Sequence, residues 1–313
     1  MEIGILAFIR LLKIKARLLY PIFPTARAHT TKRIKMASNQ APAEVSKVPP
    51  KPTLTPFEGK VIAVTGASRG TGLALTRYLI ERGGTVSMCS ATAKNLLAAK
   101  EEILRDFPEA KDRVMTTVVD IGKLDMVEAW IKATVERFGP LDGAANVAGV
   151  EQSRISPITM LEPECFSEIL HANVTGTFYC LREEMKNMRD GGSIVNVGSV
   201  SSTYGSPGLS AYGTAKHALM GLTKAAAFEG APRRIRVNAL NPGFIDTDML
   251  NMPYEMPNGQ QIRFGNQDMA LIPGASQPWE IAAGIAFLLG NESRFVTKAQ
   301  WGIDGGWLEK SYQ

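Results

Sequence analysis

A chain of 313 residues, 45% apolar and 21% charged, is long enough for one large α/β domain or two small ones and has the composition of an ordinary globular protein. The net charge of +5 sits at the start of the chain: eight of the 35 Lys/Arg and one of the 30 Asp/Glu fall within residues 1–35, a local +7 that leaves −2 for the rest and excludes a nucleic-acid surface on the main body. The three cysteines, Cys89, Cys165 and Cys180, have neither zinc nor CxxC spacing, which excludes a disulfide framework and points to structural thiols in a reducing compartment.

In chain order, residues 3–23 come first. Arg10, Lys13 and Arg17 follow an i, i+3, i+7 spacing on one helical face of an otherwise apolar stretch. The charges interrupt every apolar run before the roughly 18–20 residues of a membrane span, and they fall inside what would be the apolar region of a secretory signal. Such an Arg-rich, acid-poor start suits a mitochondrial presequence or an interfacial anchor. The alternative is that Met36 opens the main product: MASNQAPAEVSK reads as an ordinary cytosolic N-terminus. A cytoplasmic location is therefore expected, with a mitochondrial one if residues 1–35 are translated and act as a presequence. Residues 37–56 are rich in Pro, Ala, Ser and Lys and read as a linker. The division expected is an N-terminal extension over 1–56 and one folded domain over 57–313.

From Lys60 onward short β-branched runs alternate with helical stretches. KVIAVT, TVSMCS, VMTTVV, LDGAANVAG, SIVNVGS, IRVNAL and AQWGID read as strands. LALTRYLIERG, NLLAAKEEILRDF and VEAWIKATVERFG carry helical periodicity. Strands separated by helices predict a doubly wound α/β fold, a parallel sheet of about seven strands with helices on both faces and right-handed crossovers.

The first strand runs into Thr65-Gly66-Ala67-Ser68-Arg69-Gly70-Thr71-Gly72 and then a helix. Glycines there let the backbone turn sharply and approach a pyrophosphate resting on the helix N-terminus. Gly66, Gly70 and Gly72 form the pattern TGxxxGxG, which resembles the short-chain dehydrogenase/reductase family, and the resemblance spans about residues 57–313. It implies a Rossmann-type domain that binds a nicotinamide dinucleotide. Thr71 departs from the family's usual Ile beneath the nicotinamide.

An acid at the end of the second strand would bind the ribose 2′-hydroxyl of NAD, and a positive charge would favour the 2′-phosphate of NADP. The sequence there is Cys89-Ser90-Ala91-Thr92-Ala93-Lys94, without an acid. The resemblance puts Arg69 where family members hold the 2′-phosphate, with Ser90, Thr92 and Lys94 as helpers. NADP(H) is the expected cofactor and NAD(H) the alternative.

Tyr212 and Lys216 stand at i and i+4, on one helical face, and Ser199 ends a strand thirteen residues before Tyr212. Carbonyl reduction needs a hydride on carbon and a proton on oxygen. Tyr212 is the candidate acid, and the base in the reverse direction. Bringing its pKa from about 10 to roughly 7 takes about 4 kcal/mol, to be supplied by Lys216 and an oxidised nicotinamide. Ser199 would hydrogen-bond the carbonyl oxygen. Ser201 and Ser202 are nearby alternatives. By resemblance, Lys216 also binds the ribose hydroxyls and Asn173 holds a water that relays protons to Lys216.

The resemblance adds Asp120 at the adenine, Asn146 in an NVAG stretch resembling NNAG, and Pro242, Gly243, Ile245 and Thr247 beside the nicotinamide. Lys298 stands where a Gly is common. His29, His171 and His217 are isolated and read as structural, and no metal site is expected. Residues 248–275, with Met249, Met252, Tyr254 and Met256, fall where the family carries a mobile lid; they point either to an apolar substrate or to a lid packed on the protein's own core. Tyr204 is a further candidate for the substrate wall.

The function expected is hydride transfer between NADP(H) and the carbonyl or secondary alcohol of a small, apolar metabolite. The alternatives are an NAD-dependent alcohol dehydrogenase and a non-catalytic dinucleotide-binding regulatory protein. An acyl-carrier reductase would need a basic docking patch near the site, and Arg233, Arg234 and Arg236 are too weakly placed to make one. The partners expected are a small-molecule substrate and further copies of the chain, in a homodimer or homotetramer formed through the Ala-rich helix after Tyr212.

Overall fold

The structure, a computed structural model, describes residues 54–307 except 153, 252, 257–258 and 263–268. The Arg10–Lys13–Arg17 face, Met36, most of the linker and Met252 lie outside the described residues.

The chain builds β1 (Val61–Thr65), α1 (Gly70–Glu81), β2 (Thr85–Ser90), α2 (Ala93–Asp106), β3 (Val114–Val118), α3 (Leu124–Phe138) and β4 (Leu141–Asn146). There follow α4 (Pro163–Leu170), one turn of π-helix at His171–Thr175, α5 (Gly176–Asn187), β5 (Met188–Val197), α6 (Ser210–Gly230) and β6 (Arg236–Pro242). Then come the short α7 (Asp248–Asn251), β7 (Tyr254–Glu255), β8 (Gln261–Ile262), α8 (Pro278–Leu289) and β9 (Gln300–Ile303). Seven parallel strands lie in the order β3-β2-β1-β4-β5-β6-β9, as the alternating pattern requires.

The strands alternate their side chains between two cores, one on each face of the sheet. Ile62, Val64, Val86, Met88, Ala145 and Val195 face the core built with Leu75, Leu79, Leu96, Ile103 and Ile285 of α1, α2 and α8. Val61, Ala63, Cys89, Ala144 and Ile194 face Trp130, Ile131, Cys180 and Ala227 of α3, α5 and α6. Trp130 is fully buried, and its indole donates to Ser87 Oγ at 2.9 Å, so its one polar atom is satisfied inside the core.

Three features differ from the sequence reading. β5 starts at Met188, five residues earlier than SIVNVGS, because Met188 pairs with Leu141 before a register shift ahead of Gly143. The helical segment holding Asn173 is interrupted by the π-turn. The lid region contains a two-stranded antiparallel hairpin, β7–β8. Lys298 has φ +61°, a left-handed backbone that explains why a glycine would suit the position. Its ammonium lies 4.7 Å from the centre of the Phe228 ring.

The order of the strands places the site. The sheet runs outward in one direction through β1-β2-β3 and in the other through β4-β5-β6, so the connections diverge between β1 and β4. In open α/β sheets a ligand crevice forms at such a switch point, beyond the carboxyl ends of the strands.

Candidate active site

A cavity of about 710 Å³ opens at that point. Its walls include Gly66, Ser68, Arg69, Gly70, Thr71 and Gly72 after β1, and Ser90 at the end of β2. Asp120 follows β3, Asn173 comes from the π-turn and Ser199 from just past β5. Tyr212 and Lys216 on α6 and Pro242, Gly243, Ile245 and Thr247 after β6 complete the group. Of the residues the sequence offered for catalysis and dinucleotide binding, Lys94 and Ser202 do not line it, and neither does Asn146. Its side chain lies beneath the cavity, where Nδ2 donates to Glu184 Oε2 and to Asn196 Oδ1, both at 3.0 Å. Strand alternation is the reason: Asn146 shares the face of Ala144, which looks toward α5, and Glu184 is on α5. Burial pushes the Glu184 carboxyl up to about 8, so it is largely protonated at neutral pH.

The loop after β1 is a cradle that side chains would fill. Gly66 has φ +65°, and a Cβ there would stand 2.9 Å from the Ala148 backbone. A Cβ on Gly72 would stand 2.3 Å from the Gly66 carbonyl oxygen. α1 begins without a side-chain cap and without an acid in its first turn, which leaves its N-terminal N–H groups and the positive end of its dipole facing the cleft. Thr65 Oγ1 accepts from Val147 N and Ala148 N, both at 3.0 Å, and ties the end of β1 to the chain leaving β4. The bond between β1 and the NVAG stretch is thus supplied by backbone, so Val147 fits without a side-chain donor. These residues fit the pyrophosphate of a dinucleotide.

At the end of β2, Ser68 Oγ and Ser90 Oγ are hydrogen-bonded at 2.9 Å. Arg69 is exposed and lies 3.7 Å from Asp248. Such an exposed pair contributes little, so the guanidinium is open to a stronger anion. Thr92 and Asn95 also line this end; Lys94 does not. Asp120 Oδ1 accepts from Gly122 N at 3.0 Å, a local turn that fixes the end of β3.

Tyr212 occupies the first turn of α6 and Lys216 the next, so both meet the end of β5. Ser199 and Tyr212 are joined by a side-chain hydrogen bond. Ser199 Oγ also accepts from Ser201 N at 3.1 Å, and Ser202 Oγ accepts from Ser199 N at 3.1 Å. Ser202 therefore orients Ser199 from below. Lys216 is buried; its ammonium donates to the Val197 carbonyl at 3.1 Å and lies 5.5 Å from the Tyr212 ring centre. Burial lowers Lys216 to about 8, partly offset by the Glu151 carboxylate. Burial raises Tyr212 above its ordinary value; Glu151 adds to this, and the Ser199 hydrogen bond only partly opposes it. The lowering expected from the sequence is thus reversed in the protein alone, because desolvation of the phenolate dominates. His217 turns away on α6 and bonds the Gly213 carbonyl.

Asn173 spends both amide protons on carbonyls, of Val150 (2.9 Å) and Ile169 (3.0 Å), and its Oδ1 accepts from Val150 N. A Cβ on Gly149 would be 2.7 Å from Asn173 Oδ1 and 3.5 Å from Lys216 Nζ. The bare glycine therefore keeps space open between these two groups.

Two cavity residues, Glu151 and Trp307, were not singled out in the sequence. Glu151, from the loop after β4, is hydrogen-bonded to Tyr254 on β7. Trp307 stacks on Tyr204, with ring centres 5.9 Å apart, and meets Phe244 edge-on at 4.9 Å. In the lid, Met249, Tyr254 and Met269 line the cavity and Tyr254 is buried. Arg236 is buried against the carbonyls of Leu288, Gly290 and Val296, and Arg233 binds Asp190 and the carbonyls of Met185 and Met188. Neither is available for a basic docking patch. Among the described residues no cluster of His, Cys, Asp and Glu has metal-binding geometry, and no helix is long and apolar enough to cross a membrane.

A parallel sheet with a glycine-walled cradle at its switch point, facing a Tyr–Lys pair whose lysine is buried, defines a dinucleotide-binding oxidoreductase. The family model described as short chain dehydrogenase matches residues 60–257. The Short-chain dehydrogenase/reductase ABA4 of Pyricularia oryzae is 38% identical over 264 residues, covering 82% of this chain and 94% of that protein. A short-chain dehydrogenase/reductase from Serratia marcescens superposes with a TM-score of 0.71 at 30% identity, over 80% of this chain and 98% of that one. A blue fluorescent protein from a metagenomic library, solved with NADPH, gives a TM-score of 0.71 at 27% identity, over 80% and 99% of the two chains. The chain belongs to the short-chain dehydrogenase/reductase family, whose members exchange a hydride between a nicotinamide dinucleotide and a carbonyl or alcohol.

Proposed function

We propose that the protein is an NADP(H)-dependent reductase that converts a ketone to a secondary alcohol, with Ser199, Tyr212 and Lys216 as catalytic residues. The observation that carries this reading is that one cavity holds both the glycine cradle and the Ser199–Tyr212–Lys216 group. A dinucleotide bound there supplies the hydride donor, or in the reverse direction the acceptor. Gly66, Ser68, Gly70, Thr71 and Gly72 hold its pyrophosphate end, Arg69 with Ser90 its 2′-phosphate, and Asp120 its adenine. Pro242, Gly243, Ile245 and Thr247 flank the nicotinamide, and Lys216 holds the ribose hydroxyls.

Tyr212 gives its hydroxyl proton to the carbonyl oxygen. A tyrosine held protonated by burial is ready for this at neutral pH, which favours the reductive direction. Ser199 donates to the same oxygen and stabilises its developing negative charge. The Lys216 ammonium favours the tyrosinate left behind, and the space by Gly149 admits a water from Asn173 to restore the proton. An NAD(H) enzyme is the second reading, favoured by Asp248, whose carboxylate beside Arg69 opposes a phosphate.

For assembly, α6 presents Gly213, Gly221 and Ala225 outward with an exposed Phe228. Small residues let two such helices approach closely, and we place the contact of a homodimer or homotetramer there.

The pH profile of ketone reduction tests the Tyr212–Lys216 reading. Because Lys216 loses its proton near pH 8 in the free enzyme, kcat/KM is expected to be level below that point and to fall above it. A profile flat to about pH 9.5, well beyond that pKa, would contradict the role of the ammonium.

A further inference from the structure

We propose that Glu151 is a specificity-determining residue that accepts a hydrogen bond from a second hydroxyl of the substrate, so that the preferred substrates are cyclic diols and hydroxyketones rather than simple ketones. This deepens, and rests on, the oxidoreductase reading above.

The substrate end of the cavity is walled by Tyr204, Phe244, Trp307, Met249, Leu250 and Met269. Flat aromatic faces at two orientations, from Tyr204 and Phe244 around Trp307, suit a ring. Glu151 lines the same cavity as Tyr212 and Lys216 and lies within electrostatic reach of both. A carboxyl in such surroundings needs hydrogen-bond partners. Tyr254 provides one, yet two carboxyl oxygens offer about four acceptor positions. Glu151 lines the cavity, so a substrate hydroxyl can take up the remaining capacity.

The carboxyl is held in place from both sides of the loop. Gln152 is fully buried, and its Nε2 donates to the carbonyls of Arg154 and Gly208, both at 2.7 Å. Ser156 N bonds Gly208 O at 3.0 Å, and Ile155 N bonds Glu255 O at 2.9 Å. Arg154 adds an ion pair to Glu255 at 3.3 Å. The 150–156 loop is thereby fastened both to the segment that leads into Tyr212 and to the hairpin that carries Tyr254. Such rigidity is what discrimination by a single hydrogen bond requires. A site built to bind a hydroxyl rejects the analogue without it far more strongly than an apolar wall rejects a change of size.

The test is oxidation with NADP⁺ of cyclohexanol and the vicinal cyclohexanediols by the wild-type enzyme, Glu151→Gln and Tyr254→Phe. The wild type is expected to favour a diol over cyclohexanol in kcat/KM by roughly tenfold or more. Glu151→Gln should collapse that ratio toward unity, and Tyr254→Phe, which keeps the carboxyl but removes its donor, should lower it in part. If Glu151→Gln does not fold, as judged by loss of saturable dinucleotide binding, Tyr254→Phe carries the comparison. A diol ratio near unity in the wild type, or one unchanged in both variants, overturns the role of Glu151 and leaves the oxidoreductase reading intact. Failure of the wild type to oxidise any of these alcohols, or ketones in reverse, counts against that reading and this proposal together.

Discussion

Replacing Tyr212 by Phe is expected to lower kcat for ketone reduction by roughly 10²- to 10⁴-fold, the range of a lost general acid, while dinucleotide affinity stays near that of the wild type. The reason is local. The hydroxyl is bonded to Ser199, whereas the ring packs at the start of α6 and stays in place in the variant. Lys216, which also reaches the Val197 carbonyl, is held independently of the phenol. Stopped-flow and steady-state rates, paired with a binding titration, separate the two effects. Retained turnover would show that another group, such as Ser199, delivers the proton.

Gly72→Ala is the second large effect. A methyl there would stand 2.3 Å from the Gly66 carbonyl oxygen, 2.7 Å from its carbon and 3.0 Å from Ala67 Cα. All three are backbone atoms, so no side chain can rotate away, and the loop itself must shift. Overpacking of this kind costs about 1–3 kcal/mol, and here the strain falls on the turn proposed to receive the pyrophosphate. Dinucleotide affinity should fall by tenfold or more, with a lowered melting temperature. A variant that binds like the wild type would place the pyrophosphate elsewhere.

The fold and most of the cavity wall were legible in the sequence because their signals are local. β-branched runs alternating with helical periodicity dictate a parallel sheet. The glycine pattern marks one turn, and Tyr212 with Lys216 marks one helical face. Glu151 and Tyr254 were not legible as a pair, since their contact joins the loop after β4 to a hairpin about a hundred residues later. Tyr254 stood out only as an apolar lid residue. Asn146 was placed by motif, and motifs do not say which way a side chain points. Counting two residues on from Ala144 would have turned it toward α5 and Glu184. The start of α8 has a local signal of the same kind: Gln277 precedes Pro278, and Glu280 Oε2 accepts from Gln277 N at 2.7 Å. Burial of the Tyr212 phenol opposes the lowering expected from Lys216 and an oxidised nicotinamide, and it was not legible because desolvation depends on the assembled lid and loops, which composition does not convey.

The nicotinamide site is tested most directly by a fluorescence titration of the purified full chain with NADPH and, in parallel, with NADH. Saturable binding of both is expected, with NADPH tighter on the proposed reading, because Arg69 and Ser90 line the cavity where no acid ends β2. Tighter NADH would reverse the assignment of Arg69 and keep the enzyme. Binding of neither would contradict the claim that this cavity is a nicotinamide site.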